Sequence, residues 1–305
     1  MAGPIEEQRV RPWATVLRVR TAEGTLFFKE PAPEVNHECR LIEILAGRRP
    51  ELVTEVLFAD EDGRMLMRDA GEPLGSLLDR NLDTRYWEES LPLYAELQIA
   101  AMSDAERLVE AGAFDRRSAG LPETYEALIA ERSSGQTEEE YERLRALAPE
   151  VRQVCAELAA GPVPETINND DFTHGSIFVR GGAYRFLDWG DACVSHPFFT
   201  LTVTQRVIEI KHELPVGSPE IVRIRDAYLE PFTLFAPRAE LEVMVEPARK
   251  IGQISRVALR AARMHWDDDP EELAWAFRLL LDPEAWRAWL TEPEDEQPPR
   301  SGPVS

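Results

Sequence analysis

The chain has 305 residues, enough for one large domain or two smaller ones and for a sizeable core without disulfide or metal staples. Its 56 acids against 34 bases leave a formal net charge of -22, which disfavours nucleic acid as a partner, because phosphates need clustered basic side chains. No long apolar run marks a membrane span, and the three cysteines (Cys39, Cys155, Cys193) show no CxxC pair that would suggest zinc or a disulfide framework.

The opening MAGPIEEQRV has no apolar stretch of the kind found in secretory leaders, so the expected compartment is the reducing cytoplasm. Lysine occurs only at 29, 211 and 250, so each asks for a specific reason. The acidic balance favours small cationic ligands over anionic ones, although it also serves solubility.

Residues 13–20 (WATVLRVR) and 25–30 (TLFFKE) are rich in β-branched and aromatic residues, and TAEG between them supplies a turn glycine. They predict a β-hairpin. Val35, Cys39, Ile42 and Leu45 recur at helical spacing over 35–46, and Gly47 stops the helix. Two further strands are predicted over 53–58 and 64–68, with a turn at Asp60 to Gly63. Any strand ahead of residue 13 is expected to be short.

Beyond residue 70 the pattern is mainly helical. Trp87, Leu91, Tyr94, Leu97, Ala101, Ala105 and Leu108 mark the face of one long amphipathic helix. Helices are predicted over 122–133 and 137–159, then a strand island (SIFVR, GGA, YRFLDW), then helices over 197–211, 218–236, 239–265 and 271–290. The expected organisation is a β-rich N-terminal lobe over 1–70 and a larger, mainly helical lobe over 71–290. A polar, proline-bearing tail over 291–305 is expected to be disordered. The fold class is α+β and bilobal, with a small β-rich lobe carrying one helix and a larger, mainly helical lobe carrying one short hairpin.

The chemistry concentrates in INNDDFTHGSIFVRGGAYRFLDWGDA. Asp171 is followed five residues on by Ser176, and Ser176 twelve residues on by Asp188 in a D-x-G context. Ser176 opens one strand and Asp188 ends the returning one, so the hairpin at Gly181-Gly182 brings the two together. Phosphoryl transfer needs such a set: a carboxylate to orient the acceptor hydroxyl, oxygen ligands for Mg²⁺, and a lysine held by an acid against the phosphates. Lys29 ends the second strand, and Glu38 lies nine residues on as its ion-pair partner. The segment after RMLMR crosses between the lobes, where the backbone of Asp69 and Ala70 can read an adenine edge and Met67 can shape the pocket.

The stretches FFKE, HECRLIEILA, MLMRDAG, DDFTHGSIFV and FLDWGDACVSHP resemble those of the aminoglycoside phosphotransferase and choline kinase group, which has the protein kinase-like fold. The resemblance runs over most of the chain. It implies ATP or GTP with Mg²⁺, phosphoryl transfer to a hydroxyl of a small molecule or a peptide, Asp171 as catalytic base, Asp188 with Ser176 as metal ligands, and Lys29 with Glu38 on the phosphates. The family loop reads HGDxHxxN, and this chain has Asn169, Thr173 and Ser176 where that loop has His, His and Asn. A nucleotide-binding pseudokinase or scaffold with an altered loop is therefore the alternative reading.

Candidates for the acceptor are Asp191, His174 and the acids Asp267, Asp268, Asp269 and Glu271, which relatives of aminoglycoside type would place in an acidic pocket. The acids before Glu271 equally suit a helix start. Arg249, Arg256, Arg260 and Arg263 share one face of the 239–265 helix and read as a solvated face with acid partners; an anionic acceptor group is the lesser reading.

Overall fold

The computed structural model describes residues 3–131, 136–267 and 270–282. The N-terminal sheet has five antiparallel strands in the order β1-β2-β3-β5-β4: β1 (Ile5–Arg11), β2 (Ala14–Thr21), β3 (Gly24–Pro31), β4 (Val56–Ala59) and β5 (Met65–Arg68). The predicted hairpin is β2–β3, closed by the Thr21↔Gly24 pair, and Gly24 adopts φ 129, which a side chain would disfavour. β1 runs for seven residues, a full edge strand rather than a stub. Helix α1 (Glu38–Ala46) buries Leu41, Ile42, Ile44 and Leu45, and its predicted start at 35 is a separate 3₁₀ turn, Pro33–Val35.

A two-residue strand, β6 (Glu72–Pro73), leads into α2 (Leu74–Arg80), which the sequence reading did not anticipate. The long helix expected over 87–108 is two helices, α3 (Arg85–Ala101) and α4 (Ala105–Ala111), separated by a 3₁₀ turn at Met102–Asp104. The break places the buried Asp104 carboxylate on Arg48, at 2.7 Å. After β7 (Phe114–Asp115) come α5 (Leu121–Glu131) and α6 (Glu138–Ala159), the latter started by a reciprocal capping box of Thr137 and Glu140.

The next strands are β8 (Thr166–Asn169), the hairpin β9 (Ile177–Arg180) with β10 (Ala183–Phe186), and β11 (Ala192–Ser195). They form two small sheets, β10-β9-β6 and β7-β11-β8. β8 and β11 are buried along their whole length. Internal partners meet the polar oxygens of β8: Thr166 Oγ1 donates to the Gln98 carbonyl, and Thr200 Oγ1 donates to Asn168 Oδ1. The remaining helices are α7 (Thr200–Lys211), α8 (Pro219–Leu229), α9 (Arg238–Asp267) and α10 (Pro270–Leu281). The expected tail and the stretch of helix beyond 282 lie outside the described residues. No helix among the described residues is long and apolar enough to cross a membrane.

An aromatic stack supports the segment that follows β8. The rings of Tyr94 and Phe172 lie 3.9 Å apart and nearly parallel, with Phe186 edge-on at 5.2 Å and Trp189 stacked at 6.1 Å. All four are fully buried. Each such ring contributes roughly 1.5–3 kcal/mol by leaving water, so this platform is a rigid base.

Candidate functional site

Lys29 lies on β3, the central strand of the N-terminal sheet, paired to Val16 on one side and Met65 on the other. Its Nζ stands 2.7 Å from Glu38 Oε2 and 2.8 Å from Asp188 Oδ1. Glu38 is the first residue of α1, and its other oxygen accepts the Trp189 backbone N–H at 3.2 Å. One buried carboxylate thus joins the sheet, the helix and the turn after β10. Burial alone would lower the Lys29 pKa, but the Asp188 and Glu38 carboxylates outweigh it and the ammonium is held charged. The Glu38 pKa is raised as well: burial raises it, and Lys29 only partly opposes that.

Asp188 follows β10 in the left-handed region, at φ 67 and ψ 56, a conformation that Asp tolerates better than most residues. The sharp turn lets the carboxylate face Lys29 while the next N–H faces Glu38. Asn169 fixes it from below. Its Nδ2 donates to the Asp188 carbonyl at 2.9 Å, and its Oδ1 accepts the Asp171 N–H at 3.0 Å. The backbone N–H of Asn169 in turn donates to Tyr94 Oη at 2.8 Å, on the aromatic platform. The residue standing where the family loop has its first His therefore ties the two predicted acids together through one amide.

Ser176 is buried; its hydroxyl lies 3.4 Å from the Asp171 carbonyl as donor, and its own carbonyl accepts the Leu187 N–H at 2.9 Å. A hydroxyl that has given its proton keeps lone pairs for a cation. Among the described residues, no three His, Cys, Asp or Glu side chains gather as a metal group. The residues that could hold a cation are one carboxylate, Asp188, and one hydroxyl, Ser176, which follow and precede the paired strands β10 and β9. Hard oxygen donors in that small number fit Mg²⁺, which takes one or two protein ligands and fills its shell with phosphate oxygens and water.

The segment between the lobes is fastened at both ends. Asp69 Oδ1 accepts the Gly71 N–H at 2.9 Å, and its Oδ2 pairs with Arg180 of β9 at 2.6 Å. Gly71 has φ 116, and a Cβ there would come 2.4 Å from the Val179 carbonyl oxygen, so only glycine fits. Met67 and Ala70 are buried beside it.

His174 packs onto α2: its carbonyl accepts the Gly75 N–H, and a Cβ on Gly75 would meet its Nδ1 at 2.9 Å. Burial, with the charge of Lys211 beside it, lowers its pKa. Asp191 lies in the 3₁₀ turn after Asp188, and its carbonyl accepts the Asp170 N–H at 3.3 Å. The acids Asp267, Asp268, Asp269 and Glu271 lie outside the residues whose side chains are described.

One expectation is corrected. Arg256 is not on a solvated face: it is 8% exposed, its Nη1 donates to the Asp170 carbonyl at 2.7 Å, and its Nη2 stands 3.0 Å from Asp171 Oδ1. Its partners are two consecutive loop residues, of which Asp170 occupies the position of the family loop's glycine and is itself buried. Burial raises its pKa, opposed by Arg256 and by the hydroxyl of Ser255, which donates to Oδ2 at 3.0 Å. Asp170 and Ser255 were not anticipated; the signal was an acid at a glycine position, which needs a hydrogen-bond partner from elsewhere in the chain if it is buried.

The sequence model of the phosphotransferase enzyme family matches residues 13–241, most of the chain. The chain belongs to this phosphotransferase family. No curated protein is close enough in sequence to count as a relative. Among solved structures, the phosphotransferase resembles an ethanolamine kinase of Plasmodium vivax at a TM-score of 0.65 and 11% identity, over 93% of this chain and 84% of that one. It resembles a choline/ethanolamine kinase family protein of Mesorhizobium loti at a TM-score of 0.59 and 17% identity, over 96% and 90% of the two chains. An aminoglycoside phosphotransferase bound to GDP and kanamycin matches at a TM-score of 0.59 and 13% identity, over 90% of this chain and 93% of its own. At these identities the likeness is one of fold: the phosphotransferase has the bilobal, kinase-like α+β architecture.

Proposed function

We propose that this phosphotransferase is a cytoplasmic kinase that moves the γ-phosphoryl group of Mg²⁺-bound ATP or GTP to a hydroxyl of a small molecule. The observation that carries the reading is Lys29 Nζ held between Glu38 and Asp188, at 2.7 and 2.8 Å. Such a pair across the sheet and the turn after β10 is what a phosphate clamp requires.

Lys29, kept charged by its two carboxylates, contacts the phosphates, and Glu38 keeps it extended. Met67, Asp69 and Ala70 line the base pocket. Asp188 and Ser176 hold the divalent cation, which supplies charge neutralisation on the phosphates when bound. Asp171, 41% exposed at its side chain, accepts a hydrogen bond from the acceptor hydroxyl and takes its proton as the new O–P bond forms and the bond to the β-phosphate oxygen breaks. Asn169 keeps Asp171 and Asp188 in register while this happens.

The net charge of -22 supports a cationic acceptor, with Asp191, His174 and the acids at 267–271 as its contacts. Solved structures of similar fold include an amicoumacin kinase with AMP-PNP and Ca²⁺ (TM-score 0.61) and the kanamycin complex above, which supports nucleotide and divalent-cation use here. The alternative, a nucleotide-binding pseudokinase, draws on the buried Ser176, whose side chain is shorter than the asparagine of the family loop.

The test is ADP or GDP release from Mg-ATP or Mg-GTP over a panel of amino alcohols and aminoglycosides, beside thermal shift with the same nucleotides. Turnover lowered by orders of magnitude but still measurable in Asp171→Asn, with the nucleotide shift retained, supports the kinase. A nucleotide shift without turnover on any acceptor supports the pseudokinase. Turnover unchanged in Asp171→Asn refutes the role given to Asp171.

A further inference from the structure

Two consecutive acids stand at the head of the loop, and they face opposite ways. Asp170 is 5% exposed and turned into the protein, while the Asp171 side chain is 41% exposed. A single guanidinium from α9 serves both residues: Arg256 Nη1 takes the Asp170 carbonyl at 2.7 Å and Nη2 takes Asp171 Oδ1 at 3.0 Å. Ser255, the residue before it, takes Asp170 Oδ2 at 3.0 Å. Adjacent residues of one helix therefore grip adjacent residues of the loop, 85 positions earlier in the chain.

We propose that Arg256 is a positioning residue for Asp171, and that the buried Asp170 carboxylate with Ser255 anchors α9 so that the guanidinium arrives in place. The inference rests on the kinase reading above. An aspartate carboxylate on a loop rotates about two bonds, and each rotation moves the atom that must meet the acceptor hydroxyl. The planar fork removes that freedom, because its two N–H vectors are fixed relative to each other, one on the backbone and one on the carboxylate. With Oδ1 engaged, Oδ2 is the oxygen presented to the acceptor. Arg256 acts through Asp171 and touches no reacting atom.

An ammonium cannot make this bridge, since a point charge can sit near one acceptor but does not hold the two at a set angle. Arg256→Lys therefore keeps the charge that compensates Asp170 and removes only the fork, which keeps the variant foldable. The experiment compares wild type, Arg256→Lys, Asp171→Asn and the double variant for ADP release from Mg-ATP with the acceptor panel, and for release to water where no acceptor responds. Thermal melting checks folding, and nucleotide KM and Mg-ATP thermal shift check binding.

The expected result is a kcat about 10- to 100-fold lower in Arg256→Lys, the scale of a small misplacement of a reacting group. Nucleotide KM stays within about two-fold of wild type, and the double variant is no slower than Asp171→Asn, because the two changes remove one function. A wild-type kcat in Arg256→Lys, a higher one, or losses that multiply in the double variant would each overturn the inference while leaving the kinase reading intact. A loss of nucleotide affinity matching the loss of kcat would overturn it too, as the mark of a purely structural role. Wild-type protein with no turnover at all sinks both proposals.

Discussion

Replacing Lys29 by methionine isolates the interaction on which the site depends. The substitution conserves volume and strands Glu38, whose side chain is 3% exposed. Breaking a buried ion pair from one side costs roughly 3–5 kcal/mol. The lower end applies here, because Glu38 keeps the Trp189 N–H at 3.2 Å and Asp188, the other partner, is 58% exposed at its side chain. At about 2 °C per kcal/mol for a chain of this size, Tm should fall by roughly 6 °C at neutral pH.

The pH dependence follows from Glu38. Burial already raises its folded pKa above the unfolded value, and losing the opposing charge of Lys29 raises it further. In the window above the ordinary glutamate value, the native variant then binds more protons than the unfolded chain, so its stability rises as pH falls. Scanning calorimetry of wild type and variant at pH 7.5 and 5.5 should show the gap in Tm narrowing on acidification. A second substitution, Glu38→Gln, should recover most of the loss by removing the stranded charge. A gap below about 2 °C at pH 7.5, or one that widens at pH 5.5, would show that the pair carries no such energy and refute the reasoning.

Other changes test separate links. Asn169→Ala frees the Asp171 N–H and the Asp188 carbonyl; it should lower kcat more than nucleotide affinity and cost about 1–3 kcal/mol in unfolding free energy by denaturant titration. Gly71→Ala forces a Cβ to 2.4 Å from the Val179 carbonyl oxygen at a positive φ, and should cost at least about 1–3 kcal/mol, seen as a lower thermal midpoint. Ser176→Ala should raise the Mg²⁺ concentration giving half-maximal nucleotide stabilisation several-fold, read by thermal shift across a Mg²⁺ titration, with little change in the melting of the nucleotide-free protein.

Much of this protein follows from local pattern. The β-branched and aromatic content of β2 and β3, with Gly24 at the turn, sets a hairpin, and that hairpin fixes where Lys29 stands. Helical spacing after Pro33 puts Glu38 in a helix at the sheet's edge, and the intervals among Asp171, Ser176 and Asp188 follow from a short β-turn. Each is decided by residues close in sequence, where backbone sterics and hydrophobic period act directly.

Elsewhere tertiary contact overrode the local signal. β8 and β11 are strands buried on both faces, so they show no alternation to read; in β8, Thr166 and Asn168 are met by Gln98 of α3 and Thr200 of α7. The apolar stripe over 87–108 runs on past the point where Asp104 turns the chain to meet Arg48. In α9, arginines at helical spacing have the pattern of a solvated face, and nothing local to them distinguishes Arg256. Its burial is set by the Asp170 carbonyl, 86 residues away, and by the Asp171 carboxylate beside it, which only the fold brings to the guanidinium.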